Sequence, residues 1–416
     1  MPRCLLFTLA WLGLLALARP AAAYSVLTHQ ANVDSCWAPC FVPALNARYP
    51  NATPAEMKEA KAYAYGGAIV QDMGYYPFGS HLFTNLTHYV RSGDFVRNLL
   101  LEAHDRNQYA FALGAMAHYA ADLKGHGQGT NKALPAMFPE LKARYGSTVT
   151  YEQAPLQHKQ AEFGFDVVQM AAGRYRTDAY HDFIGFKVEK DVLERAFLKT
   201  YGLALGAVTM NVDLSIASYR FAVRQLIPVV ARAAWRTNRH EIRRTTPGAR
   251  RREYTYRESK KKYHQQYGSG YEQPGFGARL LSAFIGVLPK VGPLRALKVA
   301  VPSAQAQALY RASFRQTVRE YCNLLREQQR SQATLPNIDF DTGKETHLGE
   351  YPLADETYGE WLRQLAKDDF KGLSPPMKQH ILSFFADAGK TPADEDEKEK
   401  DKRKDTLEAL AKLRAL

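Results

Sequence analysis

Two pairs of residues in this sequence stand four positions apart and combine imidazole with carboxylate: His118 with Asp122 in HYAAD, and His158 with Glu162 in HKQAE. On an α-helix such positions project from one face. Each pair can therefore clamp one side of a metal ion, and imidazole nitrogen and carboxylate oxygen are ordinary zinc ligands. A single pair of this kind is more often a surface hydrogen bond or a cap. The first pair, however, grows out of the apolar run YAFALGAMA (109–117), where an unpaired carboxylate is costly unless a cation compensates it. His126 follows Asp122 by four more residues, beside two glycines.

Further donors lie towards the N-terminus. MPR is a short basic start, CLLFTLAWLGLLALA is an apolar segment of signal-peptide length, and RPAAA ends in small residues. Residues 1–23 are expected to be a signal peptide cleaved between Ala23 and Tyr24, with export to a periplasm or to the extracellular space. Cleavage leaves a free α-amine on Tyr24, five residues before His29, and a neutral amine with its neighbouring carbonyl can chelate a metal. Asp72, in QDMG at a predicted helix end, offers a carboxylate that can bridge ions, and His88 offers another imidazole. His81 competes with His88 for that slot.

Taken in order, these residues resemble the ligand series of the zinc-dependent phospholipase C superfamily, which includes bacterial three-zinc phospholipases C and fungal single-strand-specific nucleases. That series runs N-terminal residue, His, Asp, His, His-x3-Asp, His, His-x3-Glu or Asp. The chain reads Tyr24, His29, Asp72, His88, His118-x3-Asp122, His126, His158-x3-Glu162. It departs in having Tyr where the family usually begins with Trp, which a backbone ligand tolerates, and in a close His126. The separation of sixteen residues from Asp72 fits His88 better than His81. The resemblance covers roughly residues 24–175.

The resemblance implies an all-α fold and about three Zn2+ ions. One would be held by His88, His118 and Asp122, a second by His126, His158 and Glu162, and a third by Tyr24 and His29, with Asp122 bridging. It also gives Asp72 a role as ligand and catalytic base. The implied reaction is phosphodiester hydrolysis by metal-bound hydroxide. The expected substrate is a phospholipid at a membrane surface, cleaved to diacylglycerol and a phosphorylated headgroup. The same site can serve a single-strand nuclease or nucleotidase, and RRREYTYRESKKKYHQQY interleaves aromatics with cations as nucleic-acid binding requires. A zinc-stabilised binding protein without turnover is the third reading. No protein partner is inferred. A serine-hydrolase elbow GxSxG is absent.

Elements must position these residues. The chain has 416 residues, 46% hydrophobic and 23% charged, enough for a substantial core. Its net charge of +13 favours anionic partners without identifying one. Helices are predicted over 54–71, on either side of Asp105, and from His158 onward. Two long helices are predicted over 187–235 and another over 303–329. Alternating strand patterns are nearly absent, so the expected class is all-α: a multi-helix bundle with a mostly helical C-terminal extension. The expected organisation is 1–23 signal peptide, 24–235 zinc-dependent hydrolase helical domain, 236–390 a basic and apolar segment with a helical C-terminal region, and 391–416 a charged tail. Within it, 236–262 is basic, 275–302 is apolar with scattered cations, and 335–358 reads as loop. The run DEDEKEKDKRKD (394–405) is expected to be solvated and disordered before a weak helix at Leu407–Leu416. Once Cys4 leaves with the signal, Cys36, Cys40 and Cys322 allow one bridge and one leftover thiol. Their spacing does not choose the pair.

Overall fold

The computed structural model describes residues 25–76, 78–172, 187–221, 227–249, 251, 300–330, 335–386 and 397–416. The expected signal segment, Tyr24 and most of the apolar stretch 275–302 lie outside the described residues, as does the second half of the basic stretch 236–262. In the first part of the chain the elements are α1 (Val26–Cys36), α2 (Val42–Arg48), α3 (Pro54–Val70), α4 (His81–Tyr89), α5 (Ser92–Glu102), α6 (Arg106–Gly125), α7 (Asn131–Met137), α8 (Pro139–Tyr145) and α9 (Pro155–Ala171). There follow α10 (Lys190–Tyr201), α11 (Val212–Phe221), α12 (Ile227–Thr245), α13 (Ala304–Gln329), α14 (Pro352–Lys367), α15 (Pro375–Phe384) and α16 (Glu397–Ala415). Among the described residues there is no strand, only an isolated bridge between Asp339 and Lys344. The expected all-α class is what the chain adopts. No described helix is long and apolar enough to cross a membrane.

Local chemistry sets the helix starts. At α3, the Thr53 hydroxyl accepts from the Glu56 amide while the Glu56 carboxylate accepts from the Thr53 amide, a reciprocal capping box, and Pro54 occupies the first turn. At α6, Asp105 accepts from the Gln108 amide at 2.9 Å.

The two capped helices cross closely because small residues line the crossing. A Cβ added to Gly67 would lie 1.9 Å from the Phe111 carbonyl oxygen, and one added to Gly114 would lie 2.1 Å from that of Ala64. Backbone therefore meets backbone, and the α3–α6 pair forms the spine of a continuous apolar core that runs from Val26 to Leu413. α13 lies along α6, where the Tyr321 hydroxyl donates to the Leu113 carbonyl at 2.9 Å. Cys322 of α13 is joined by a disulfide to Cys40, which leaves Cys36 as a buried free thiol pushed up to about 12 by desolvation. The bridge thus spans 282 residues.

Two local expectations are corrected. The segment 187–235 is not two long helices: Gly202, at φ +67°, ends α10 in a left-handed cap, and α11 and the start of α12 follow. The charged run 394–405, expected to be disordered up to Leu407, is helical in its described part. From Glu397 it belongs to α16, whose Ala409, Leu410 and Leu413 are buried. Its Lys402 carbonyl accepts from Arg363 on α14 at 3.3 Å. An amphipathic end anchored in the core carries the charged beginning into helix with it.

Candidate metal centre

His118 and Asp122 sit on the last two turns of α6, on the face turned towards the spine, and both are fully buried. His118 Nδ1 lies 2.9 Å from the Ala68 carbonyl at the end of α3. α3 then tightens into a 3-10 turn, Gln71–Tyr75, that carries Asp72. This turn is locked to α4 by one side chain: the Thr84 hydroxyl donates to the Gln71 carbonyl at 2.7 Å and accepts from the Gly74 amide at 2.8 Å. The Thr84 carbonyl also receives His88 Nδ1 at 2.8 Å. Thr84 therefore sets Asp72 and His88 together. α1 brings His29, whose ring stacks on His118 at 4.3 Å. The first turn of α1 is held by Asp166 of α9, whose carboxylate accepts from the Leu27 amide at 3.1 Å and the Thr28 hydroxyl at 2.6 Å. Burial pushes that carboxyl up to about 6 against these hydrogen bonds.

The atoms converge. Asp122 oxygens lie 3.2 Å from His118 Nε2 and 3.4 Å from the Nε2 atoms of His88 and His29. His88 Nε2 lies 3.4 Å from Asp72 Oδ1 and 3.4 Å from His118 Nε2. Two overlapping donor groups result: His29, His118 and Asp122, and Asp72, His88 and His118. None of the four carboxylate oxygens of Asp72 and Asp122 accepts an aligned hydrogen bond, although all are buried. Among the described residues, no Lys or Arg pairs with either group.

Because the Nδ1–H of His88 and of His118 faces a carbonyl, the Nε2 lone pairs point at one another and at carboxylates. Only positive charge can occupy that centre. The proton affinities say the same. Burial alone would depress His88, but Asp122 and Asp72 outweigh it and push the imidazole up to about 10. His118 is raised by Asp122 against its own burial, and Asp122 is held well below the usual carboxylate range by His118, His88 and His29 despite desolvation. A divalent cation would displace those protons and satisfy the same charge. The donor set therefore fits a metal.

The second group lies beyond the end of α6. His126 opens a π-helical turn, His126–Thr130, and His158 and Glu162 share a face of α9. His158 Nε2 meets Asn131 Oδ1 at 2.7 Å, and His158 Nδ1 meets Glu162 Oε1 at 2.6 Å. Burial, then His126, lowers His158 to about 3, and burial, with Asp122 and Asp72 nearby, raises Glu162 well above its ordinary value. The compact triad here is His126, His158 and Asp341. Sequence reasoning missed Asp341. It belongs to the segment read as loop, 215 positions beyond His126, and no helical spacing reaches it. The available signal was the alternation of Ile338 and Phe340 with Asp339 and Asp341, an acid pair in an otherwise apolar stretch.

Of the sequence-predicted residues, the structure thus brings together His29, Asp72, His88, His118 and Asp122 in one cluster and His126, His158 and Glu162 in another. His81 stands exposed at the start of α4, so His88 is the imidazole in the cluster. Tyr24 lies outside the described residues. Phe340 covers the first cluster from the C-terminal side, its ring 5.3 Å from that of His88 and 6.1 Å from that of His118, and its amide donates to the His88 carbonyl at 3.1 Å.

Among known proteins, no curated protein and no solved structure matches the chain. One family model does match, that of zinc dependent phospholipase C, over residues 28–211. The matched span contains every described donor of both clusters except Asp341. The match supports the resemblance of residues 28–211 to the zinc-dependent phospholipase C family.

Proposed function

We propose that the chain is an exported phospholipase C, hydrolysing the phosphodiester between diacylglycerol and a phosphorylated headgroup, with Tyr24 as its mature N-terminus. The observation that carries this reading is the convergence of buried imidazole nitrogens and carboxylate oxygens around Asp122. In it His88, His118 and Asp122, with Asp72, would hold one zinc, and His126, His158 and Glu162 would hold a second. His29 with the Tyr24 amine and carbonyl would hold a third. The chemistry zinc supplies when bound is Lewis acidity towards phosphate oxygens and acidification of water. The residues supply the rest. The Ala68 and Thr84 carbonyls fix the rings of His118 and His88, so their donors need no rearrangement during the reaction. Asp72, with neither oxygen in an aligned hydrogen bond, is free to orient water and take its proton. Phe340 and Tyr75 line this side of the cluster and keep bulk water from it. Export agrees with the Cys40–Cys322 disulfide, a bond of oxidising compartments.

The test is the zinc content of the purified protein with its N-terminal residue identified, followed by parallel assays on phosphatidylcholine vesicles and single-stranded DNA. About three zinc ions and release of phosphorylated headgroup are expected. Cleavage of DNA alone would transfer the site to the nuclease reading, and turnover of neither substrate by zinc-loaded protein would favour a binding protein.

A further inference from the structure

Asp341 is presented by a loop that belongs to no part of the family match. The loop enters beside the clusters at several points: the Ser92 hydroxyl donates to the Ile338 carbonyl at 2.6 Å, Phe340 sits on His88, and Asn131 Nδ2 donates to the Asp341 carbonyl at 2.8 Å. Asp339 closes a local turn by accepting from the Asp341 amide at 2.7 Å, which fixes the direction of the Asp341 side chain. That side chain is completely buried.

Its two oxygens are used differently. Oδ2 accepts from the Tyr351 hydroxyl at 2.6 Å and from the Tyr151 amide at 2.9 Å. Oδ1 has only the Asn131 amide at 3.4 Å and, at 2.9 Å, His126 Nδ1. The His126 contact lacks hydrogen-bond alignment, and Nδ1 has no other partner. A nitrogen and a carboxylate oxygen this close, both buried and without an aligned hydrogen bond between them, are placed to serve a cation at one shared point. His158 offers a nitrogen to the same point, the three donor atoms lying within 4.8 Å of one another. Hydrogen bonds on the far oxygen are what orient a carboxylate ligand.

We propose that Asp341 is a metal ligand, sharing one cation with His126 and His158, so that the C-terminal segment supplies part of the second centre. This rests on the zinc reading above and adds to it a donor that the N-terminal series lacks. The ion then also has a structural role, because it fastens residues 335–351 to the turn after α6 and to α9.

The test uses the full-length, zinc-loaded protein, dialysed against chelators of graded strength, with bound zinc counted at each step. Asp341→Asn is expected to lose one equivalent that the wild type retains, while the remaining zinc resists removal as before. Tyr351→Phe deletes only the hydroxyl that holds Oδ2 and should weaken that same equivalent about 10–100-fold, as outer-shell losses do. Anomalous scattering at the zinc edge from wild-type crystals needs no variant, and an Asp341 oxygen about 2.0–2.2 Å from an ion is expected. Full retention of zinc by Asp341→Asn, or an ion beyond bonding distance of Asp341, would reduce the contact to a His126–Asp341 ion pair and overturn the proposal. A wild-type protein that takes up no zinc overturns the zinc reading itself, which is a different failure.

Discussion

The two clusters are built by opposite means. The first draws its residues from α1, the turn after α3, α4 and α6, all within the first 122 residues, and backbone carbonyls orient the rings of His88 and His118. The second draws on the end of α6, α9 and a loop at residue 341, and side chains orient it: Asn131 and Tyr351. Backbone carbonyls move only if helices move. Side-chain partners can be lost one at a time. The first centre is therefore as robust as the helix crossing beneath it, and the second is open to piecemeal change.

The largest effect should come from removing the metal altogether. If zinc is present at about a thousand times its Kd, its removal withdraws about 4 kcal/mol of stability per site, to be read as a fall in thermal midpoint on chelation and its recovery on adding zinc back. An unchanged midpoint would mean that neither cluster binds an ion tightly.

Asp122→Asn strikes the residue shared by His29, His88 and His118. Hydrolysis should fall more than about 100-fold, beyond the range of outer-shell losses, while the second cluster keeps its zinc. Retained turnover would remove the first cluster from the mechanism. Gly114→Ala probes the support of that centre. The new methyl meets the Ala64 carbonyl, and overpacking of this kind costs about 1–3 kcal/mol. A denaturant midpoint equal to wild type would show that the crossing is looser than described.

Asn131→Ala sharpens the comparison from the other side. It frees His158 Nε2 and should lower zinc affinity at the second centre about 10–100-fold without touching the first. Equal losses at both centres would contradict their independence. The smallest effect is a pH dependence at α3, which carries the chain to Asp72. Hydrogen bonds from the Thr53 amide and hydroxyl, with Arg106, lower the Glu56 carboxyl to about 2. A depressed carboxylate stabilises above its unfolded pKa and loses that contribution as pH falls through the folded one. In metal-free protein, the stability gap between wild type and Glu56→Gln should therefore be full near neutrality, shrink below about pH 4.5 and close near pH 2. A gap that persists at pH 2 would discount the capping box.

What could be read in the sequence follows the same division. His118 and Asp122 were visible because helical spacing is a local code, and α3, α6 and α13 because their apolar periodicity and caps agree with their packing. The break at Gly202 was hidden by periodicity that continues on both sides, and the helical start of α16 by charges that only tertiary anchoring makes helical. Asp341 was beyond reach for a different reason: a loop residue becomes a donor through the contacts of Asp339, Asn131 and Tyr351, none of which has a spacing rule. The cysteine pairing likewise depended on α13 lying along α6, a fact of packing alone.

That pairing has a topological consequence. With Cys40 joined to Cys322, the covalent molecule is a large ring bearing two arms. Asp72, His88, His118, Asp122, His126, His158 and Glu162 ride on the ring, while His29 lies on the leading arm and Asp341 on the trailing one. A protease cut anywhere in the ring yields two polypeptides that remain a single molecule, whereas thiol reduction of the uncut chain leaves one thread. Only the two insults together can part the donors that ride on the ring, whereas one cut in an arm frees His29 or Asp341.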